Sequence, residues 1–253
     1  MRAIILAAGR GSRMAGMTDD RPKCLVELCG QPLLHWQLES LRAAGVTEFA
    51  IVTGYRREML AGQVQVEFHN PRWAETNMLS SLVCAARWLE SEPCIVSYSD
   101  IFYHSTAPSS LIASTADLAV SYDVNWRRLW ESRFGDPLLD AETFRLDSKG
   151  ILLEIGNKPL SVAEIEGQYM GLLRFSPAGW REVMRVRSEL SEDVVDSMHM
   201  TGILQKVIAA GQVPVQGIPF EGLWGEIDSP TDLDFYKIKL NCSTPFGRAS
   251  ATK

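Results

Sequence analysis

The sequence predicts an α/β fold: a mostly parallel, mixed sheet with helices on both faces and an inserted β-rich lobe. Three observations carry this. Short apolar strands alternate with amphipathic helical stretches up to about residue 122. The first strand runs straight into a loop with glycines at 9 and 11. From residue 123 to 175 the alternation gives way to extended segments before helices return.

Taken in order, "RAIILA" is a short buried strand. "PLLHWQLESLRAAG" spaces Leu34, Leu38 and Leu41 for one helical face, with Gly45 closing the helix as its C-cap. "TEFAIVTGY" is a strand, Arg56 to Ala61 a short helix, and "VQVEFHNP" a strand stopped by Pro71. "MLSSLVCAARWLE" sets Leu79, Leu82, Val83, Ala86 and Leu89 along one helix, and "CIVSYSD" is a strand again. A hairpin is expected around Asp147–Gly150, and helices from Pro177 and over "TGILQKVIAAG". "VPVQGIPF" and "LWGEID" are the last strands. In "SPTD", Ser229 is the N-cap, Pro230 takes the first helical position and Asp232 closes a capping box. The polar tail from Asn241 is expected to fray.

The 253 residues are 46% hydrophobic, enough for a sizeable core, and no apolar run reaches the 18 residues of a membrane span. A net charge of −6 argues against a general nucleic-acid binder, whose affinity rests on neutralising phosphates. Residues 1–8 lack the long apolar core of a signal peptide, which points to a cytoplasmic protein. The five cysteines include no C-x-x-C pair and, with four scattered histidines, form no zinc pattern; they read as free thiols in a reducing compartment.

The opening loop carries Gly9, Gly11, Ser12 and Arg13, and Lys23 follows shortly after. Glycines let backbone N–H groups approach phosphates, and arginine binds them in a fork. The dinucleotide pattern fails because Met14 follows Arg13 where a third glycine should come, and the second strand ends in Thr53-Gly54 without an acid. The triphosphate-loop pattern fails because no Gly-Lys-Ser/Thr follows.

The ordered set "LAAGRGSRM", "RPKCL", "NPRWAETNMLSSL", "SDI", "DVNWRRLWESRF", "EIGNK", "EGQYMG" and "GEIDSPTDL" resembles the nucleotidyltransferases that join a nucleoside triphosphate to a phosphorylated small molecule. It is most similar to the cytidylyltransferases for phosphocholine and related amino-alcohol or aminoalkylphosphonate substrates. That resemblance implies a Rossmann-like, nucleotide-diphospho-sugar-transferase-like fold, with residues 1–240 as a single domain. Residues 1–122 would be its nucleotide-binding half, 123–240 the half that binds the acceptor and completes the sheet, and 241–253 a flexible tail.

It also implies CTP, Mg²⁺ and a small phosphorylated or phosphonate acceptor as partners; homo-oligomerisation stays open. Leu6, Ala7, Ala8, Gly9, Gly11, Ser12 and Arg13 would wrap the nucleotide, with Arg13 and Lys23 on the leaving pyrophosphate. Asp100 and Asp228, each at a strand end, would hold the metal. Ser99 stands where the family pattern has glycine. Asn77, Ser80 and Ser81 match the base-recognition turn, although the same residues suit a helix cap; Glu75 and Thr76 share that loop. Lys158 resembles the lysine that contacts the acceptor phosphate.

For the acceptor head group, Trp126, Trp130 and Tyr169 offer aromatic faces to an ammonium. Asp123, Asp140, Glu142 and Glu166 offer charge. Tryptophans at i and i+4 equally suit a core. A sugar 1-phosphate nucleotidyltransferase and a nucleotide-binding protein without turnover are the alternative functions.

Overall fold

The computed structural model describes residues 1–242. Among these residues, seven strands form one sheet: β1 (Arg2–Ala7), β2 (Glu48–Thr53), β3 (Val66–His69), β4 (Cys94–Tyr98), β5 (Leu118–Asp123), β6 (Gln168–Phe175) and β7 (Val215–Phe220), in the order β7-β5-β6-β4-β1-β2-β3. All neighbours run parallel except β6, which is antiparallel to both β4 and β5.

Period-two alternation in β1 divides the core. Ala3, Ile5 and Ala7 point to the cluster that includes Leu33, Leu34 and Leu41 of α1 (Leu33–Ala43) and Leu111 of α4 (Thr106–Ala113). Trp126 of α5 (Trp126–Phe134) and Leu233 of α9 (Pro230–Lys239) share that cluster. Ile4, Leu6 and Ala8 face the other, with α2 (Met78–Val83), α3 (Ala86–Leu89), α6 (Pro177–Ser188) and α8 (Met200–Ala210). The sheet is therefore covered by helices on both sides.

Several expected elements differ. Residues 126–134 form a helix rather than an extended segment, because Trp126, Leu129 and Trp130 give it a buried stripe. The helix expected from Met78 onward is broken between Val83 and Ala86 into α2 and α3, leaving Val83 and Ala86 half-buried. Residues 57–60 wind as a 3₁₀ turn, and Ala44 rather than Gly45 is the C-cap of α1, with Gly45 next at φ 92°. A further short helix, α7 (Glu192–Ser197), was not expected; its Glu192, Asp193 and Val194 are exposed and give no apolar period. The hairpin at Asp147–Gly150 forms between Phe144–Leu146 and Leu152–Ile155. Trp224–Glu226 pairs with Ile101–Tyr103, apart from the main sheet. The capping box of α9 forms as read from Ser229 and Asp232.

The free-thiol reading is corrected for two of the five cysteines: Cys29 and Cys242 form a disulfide, while Cys24, Cys84 and Cys94 are free. The pair lies 213 residues apart, and only the docking of α9 brings its end against the turn at Cys29. Of the tail expected to fray, Asn241 and Cys242 are placed, and the remainder lies outside the described residues. No helix among the described residues is long and apolar enough to cross a membrane.

Candidate active site

The site lies at the carboxyl ends of β1 and β4, where ligands of open α/β sheets gather. The chain leaves β1 through Ala8 and turns at Gly11, whose φ is 70°. A Cβ at Gly11 would stand 2.9 Å from the Lys23 side chain, so glycine both permits the turn and lets Lys23 pass beneath it. Gly54 serves a similar end: a Cβ there would meet the Ala8 carbonyl and the Trp73 Cβ at 2.5 Å.

Lys23 is the hub. Its side chain is 8% exposed, and its Nζ donates to Asp100 Oδ2 at 2.9 Å and to Asp228 Oδ1 at 2.6 Å. Arg13 donates to the same Asp228 oxygen at 2.8 Å from an exposed position. Burial works against the ammonium, yet the two carboxylates hold its pKa above the ordinary lysine value. For Asp228 burial pushes upward, but Lys23 and then Arg13 outweigh it and the pKa falls below the usual carboxylate range.

Sequence reasoning missed Glu226. Its carboxylate lies with those of Asp100 and Asp228, one oxygen of each within 4.8 Å of the others. Burial and these two neighbours drive its pKa well up. The signal was present, since i and i+2 in "GEID" share a strand face. Asp100 Oδ1 is buried without a protein partner. Three carboxylates, one of them with an orphaned oxygen, form an all-oxygen set that suits a hard divalent cation.

Two clefts meet here. The smaller, about 250 Å³, is lined by Leu6, Ala8, Gly9, Gly11, Ser12, Arg13, Lys23, Thr76, Asn77, Ser81, Ser99 and Asp100 among the residues named from sequence, and also by Trp73, Met78 and Tyr98. Ala7 points to the opposite core, and Ser80 is not among the lining residues. The amide of Asn77 is engaged at both ends: Oδ1 accepts from Met78 N at 2.7 Å, capping α2, and Nδ2 donates to the Ser197 carbonyl at 3.2 Å. The larger cleft, about 480 Å³, shares Arg13, Met78 and Tyr98 with the first. Trp130, Asp140, Glu142, Gln168, Tyr169, Glu226 and Asp228 line it. Burial raises the carboxyl pKa of both Asp140 and Glu142.

Four residues named for the acceptor side lie elsewhere. Glu166 is exposed, accepts from the Leu146 N–H at 2.6 Å and does not line the cleft. Asp123 is buried and accepts from Trp224 Nε1 at 2.8 Å and from the Asn125 N–H at 2.7 Å, which makes it a structural acceptor. Trp126 is 4% exposed inside the core, and its ring meets Trp130 at 6.4 Å. Lys158 is exposed, donates to the Leu138 carbonyl and does not line the cleft. Trp126→Leu is therefore expected to lower stability by about 2–4 kcal/mol through the cavity it leaves. Thermal denaturation should report that loss while the acceptor KM stays near the native value.

Comparison with known proteins bears on this geometry. Residues 3–146 match the MobA-like NTP transferase domain. The chain is 35% identical over 250 residues to the CTP:phosphoglutamine cytidylyltransferase of Campylobacter jejuni, covering 92% of this chain and 98% of that protein. It is 33% identical over 104 residues to the 2-aminoethylphosphonate cytidylyltransferase of Lancefieldella rimae, 39% of this chain and 42% of the other. Among solved structures, the inositol-1-phosphate CTP transferase from T. maritima superposes with a TM-score of 0.72 at 22% identity, covering 98% of both chains.

Proposed function

The chain belongs to the MobA-like NTP transferase family, and from that premise we propose that this nucleotidyltransferase moves CMP from CTP to a small phosphorylated or phosphonate acceptor bearing a cationic nitrogen. The observation that carries the reading is the Lys23–Asp100–Asp228 cluster, set where the two clefts meet. The relatives named for phosphoglutamine and aminoethylphosphonate support the choice of CTP and of a nitrogen-bearing acceptor.

In this reading the nucleotide lies in the smaller cleft, its phosphates wrapped by N–H groups of Gly9 to Ser12. An oxygen of the acceptor's phosphate or phosphonate forms a bond to the α-phosphorus, the bond from that phosphorus to the bridging oxygen breaks, and pyrophosphate leaves with the electron pair. Arg13 and Lys23 neutralise the charge that builds on the pyrophosphate. Asp100, Glu226 and Asp228 would hold Mg²⁺, which when bound screens the phosphate oxygens. Asp140 and Glu142 supply acceptors for an ammonium and Tyr169 an aromatic face beside it. Trp130, 3% exposed and packed on Trp126 and Trp224, backs the cleft wall from the core.

The test crosses the four nucleoside triphosphates with phosphoglutamine, phosphocholine, phosphoethanolamine, aminoethylphosphonate and glucose 1-phosphate and follows pyrophosphate. Release should require CTP, Mg²⁺ and one of the nitrogen-bearing acceptors. Robust turnover with glucose 1-phosphate and none with the others would overturn the acceptor class. With the acceptor in hand, Tyr169→Leu should raise its KM several-fold through loss of the ring face, with the CTP KM little changed.

A further inference from the structure

The turn from residue 70 to 77 lines the smaller cleft and reaches the larger one through α7. Asn70, 4% exposed, fixes its shape: Nδ2 donates to Thr76 Oγ1 and Ser81 Oγ, both at 3.0 Å, and Oδ1 accepts from the Arg72 N–H at 2.9 Å. Trp73, Thr76 and Asn77 line the smaller cleft on one side of this turn. On the other, the turn grips α7. The Asn77 N–H donates to the Asp196 carbonyl at 2.7 Å, and Arg72 pairs with the Asp196 carboxylate at 2.5 Å while also meeting Glu75 at 3.3 Å. The α7 segment in turn supplies Val194, Ser197, Met198 and His199 to the wall of the larger cleft. Apart from buried Val195 and Met198, the segment is largely exposed, so these polar ties carry much of its placement.

We propose that Arg72 and Asp196 are positioning residues: through their ion pair, nucleotide bound against the 70–77 turn fixes α7 and so shapes the acceptor cleft. The inference rests on the placement of CTP in the smaller cleft. Neither residue touches substrate. The pair is half-exposed, so its loss shifts the open–closed balance of α7 by a factor of up to about five and leaves global stability nearly unchanged.

Hydrogen exchange read by mass spectrometry tests this without knowledge of the acceptor. Adding α,β-methylene-CTP with Mg²⁺ to the native protein should slow exchange both at the Gly9–Ser12 loop and across residues 192–199. In Arg72→Met and in Asp196→Asn the slowing at 192–199 should fall to under about half of native, with the glycine loop protected as before. The charge-swapped pair, Arg72→Asp with Asp196→Arg, should regain protection. In turnover, each single change should raise the acceptor KM and leave the CTP KM unchanged. Native protection at the glycine loop but none at 192–199 overturns the inference, as does full protection of 192–199 in both single variants. Protection lost equally at the two places also overturns it, since the pair would then support the nucleotide site itself. Absence of slowing at the glycine loop of the native protein sinks the nucleotide placement, and the inference with it.

Discussion

Asp228→Asn is expected to lower turnover by roughly 10²–10⁴-fold with the fold intact. The change is nearly isosteric, but it removes a hard charged oxygen from the three-carboxylate cluster and the shared acceptor of Lys23 and Arg13. Loss of several kcal/mol of charge stabilisation in the transition state accounts for that range. Asp100→Asn should behave alike, since its Oδ2 binds Lys23 and its Oδ1 has no protein partner to spare it for another role. Steady-state rates across a Mg²⁺ titration check both, alongside Mn²⁺ binding followed by electron paramagnetic resonance. A variant with near-native rate at low Mg²⁺ and native Mn²⁺ affinity would show that its carboxylate is no ligand.

Lys23→Met should act on activity and on stability together. Turnover is expected to drop by about 10³-fold, as the buried cation proposed to neutralise the leaving pyrophosphate disappears. Stability at neutral pH should fall by about 3–5 kcal/mol, because Asp100 and Asp228 lose the charge that compensates their burial. The pH dependence separates the two causes. The pKa of Lys23 is raised in the native state, so its contribution is complete below the unfolded lysine value of about 10.4 and fades as pH climbs through the higher folded one. Asp228 is depressed, so its contribution is complete above about pH 3.9 and fades as pH falls through the lower folded value. In Lys23→Met the stability deficit should therefore shrink toward acid, where the orphaned carboxylates take up protons, and shrink again in millimolar Mg²⁺. Denaturant melts at pH 4, 7 and 10.5, with and without Mg²⁺, measure this. A deficit that is flat across all of them would mean that packing, not charge, is what the ammonium supplies.

The glycine loop, β1 and the capped start of α9 were legible because their signals are local. Gly11 needs a positive φ and a close neighbour, Ser229 and Asp232 cap within one turn, and each requirement shows in adjacent residues. Asp100 and Asp228 were also legible, as acids that close apolar strands. The aromatic stretch 126–134 was not, because tryptophans at i and i+4 with no strand-breaking residue between them suit an extended segment or a helix. Burial against Trp224 at 6.1 Å and the rest of the core decided for helix.

What the sequence by itself determined, then, is the glycine loop, the alternation of strands and helices through β4, and Lys23, Asp100 and Asp228 of the charge cluster. Each follows from periodicity and backbone chemistry within a few residues. Only the tertiary structure decided which acids meet. It brought Glu226 to Asp100 and Asp228, turned Asp123 to Trp224 Nε1, joined Cys29 to Cys242 and seated α7 against Arg72 and Asn77. Apart from Glu226 and Asp228, which are near neighbours in the chain, those contacts span from 101 to 213 residues, Arg72–Asp196 alone 124. No local pattern encodes such distances; the crossing of strands in a mixed sheet sets them, and the energy that holds them comes from burial on two faces at once.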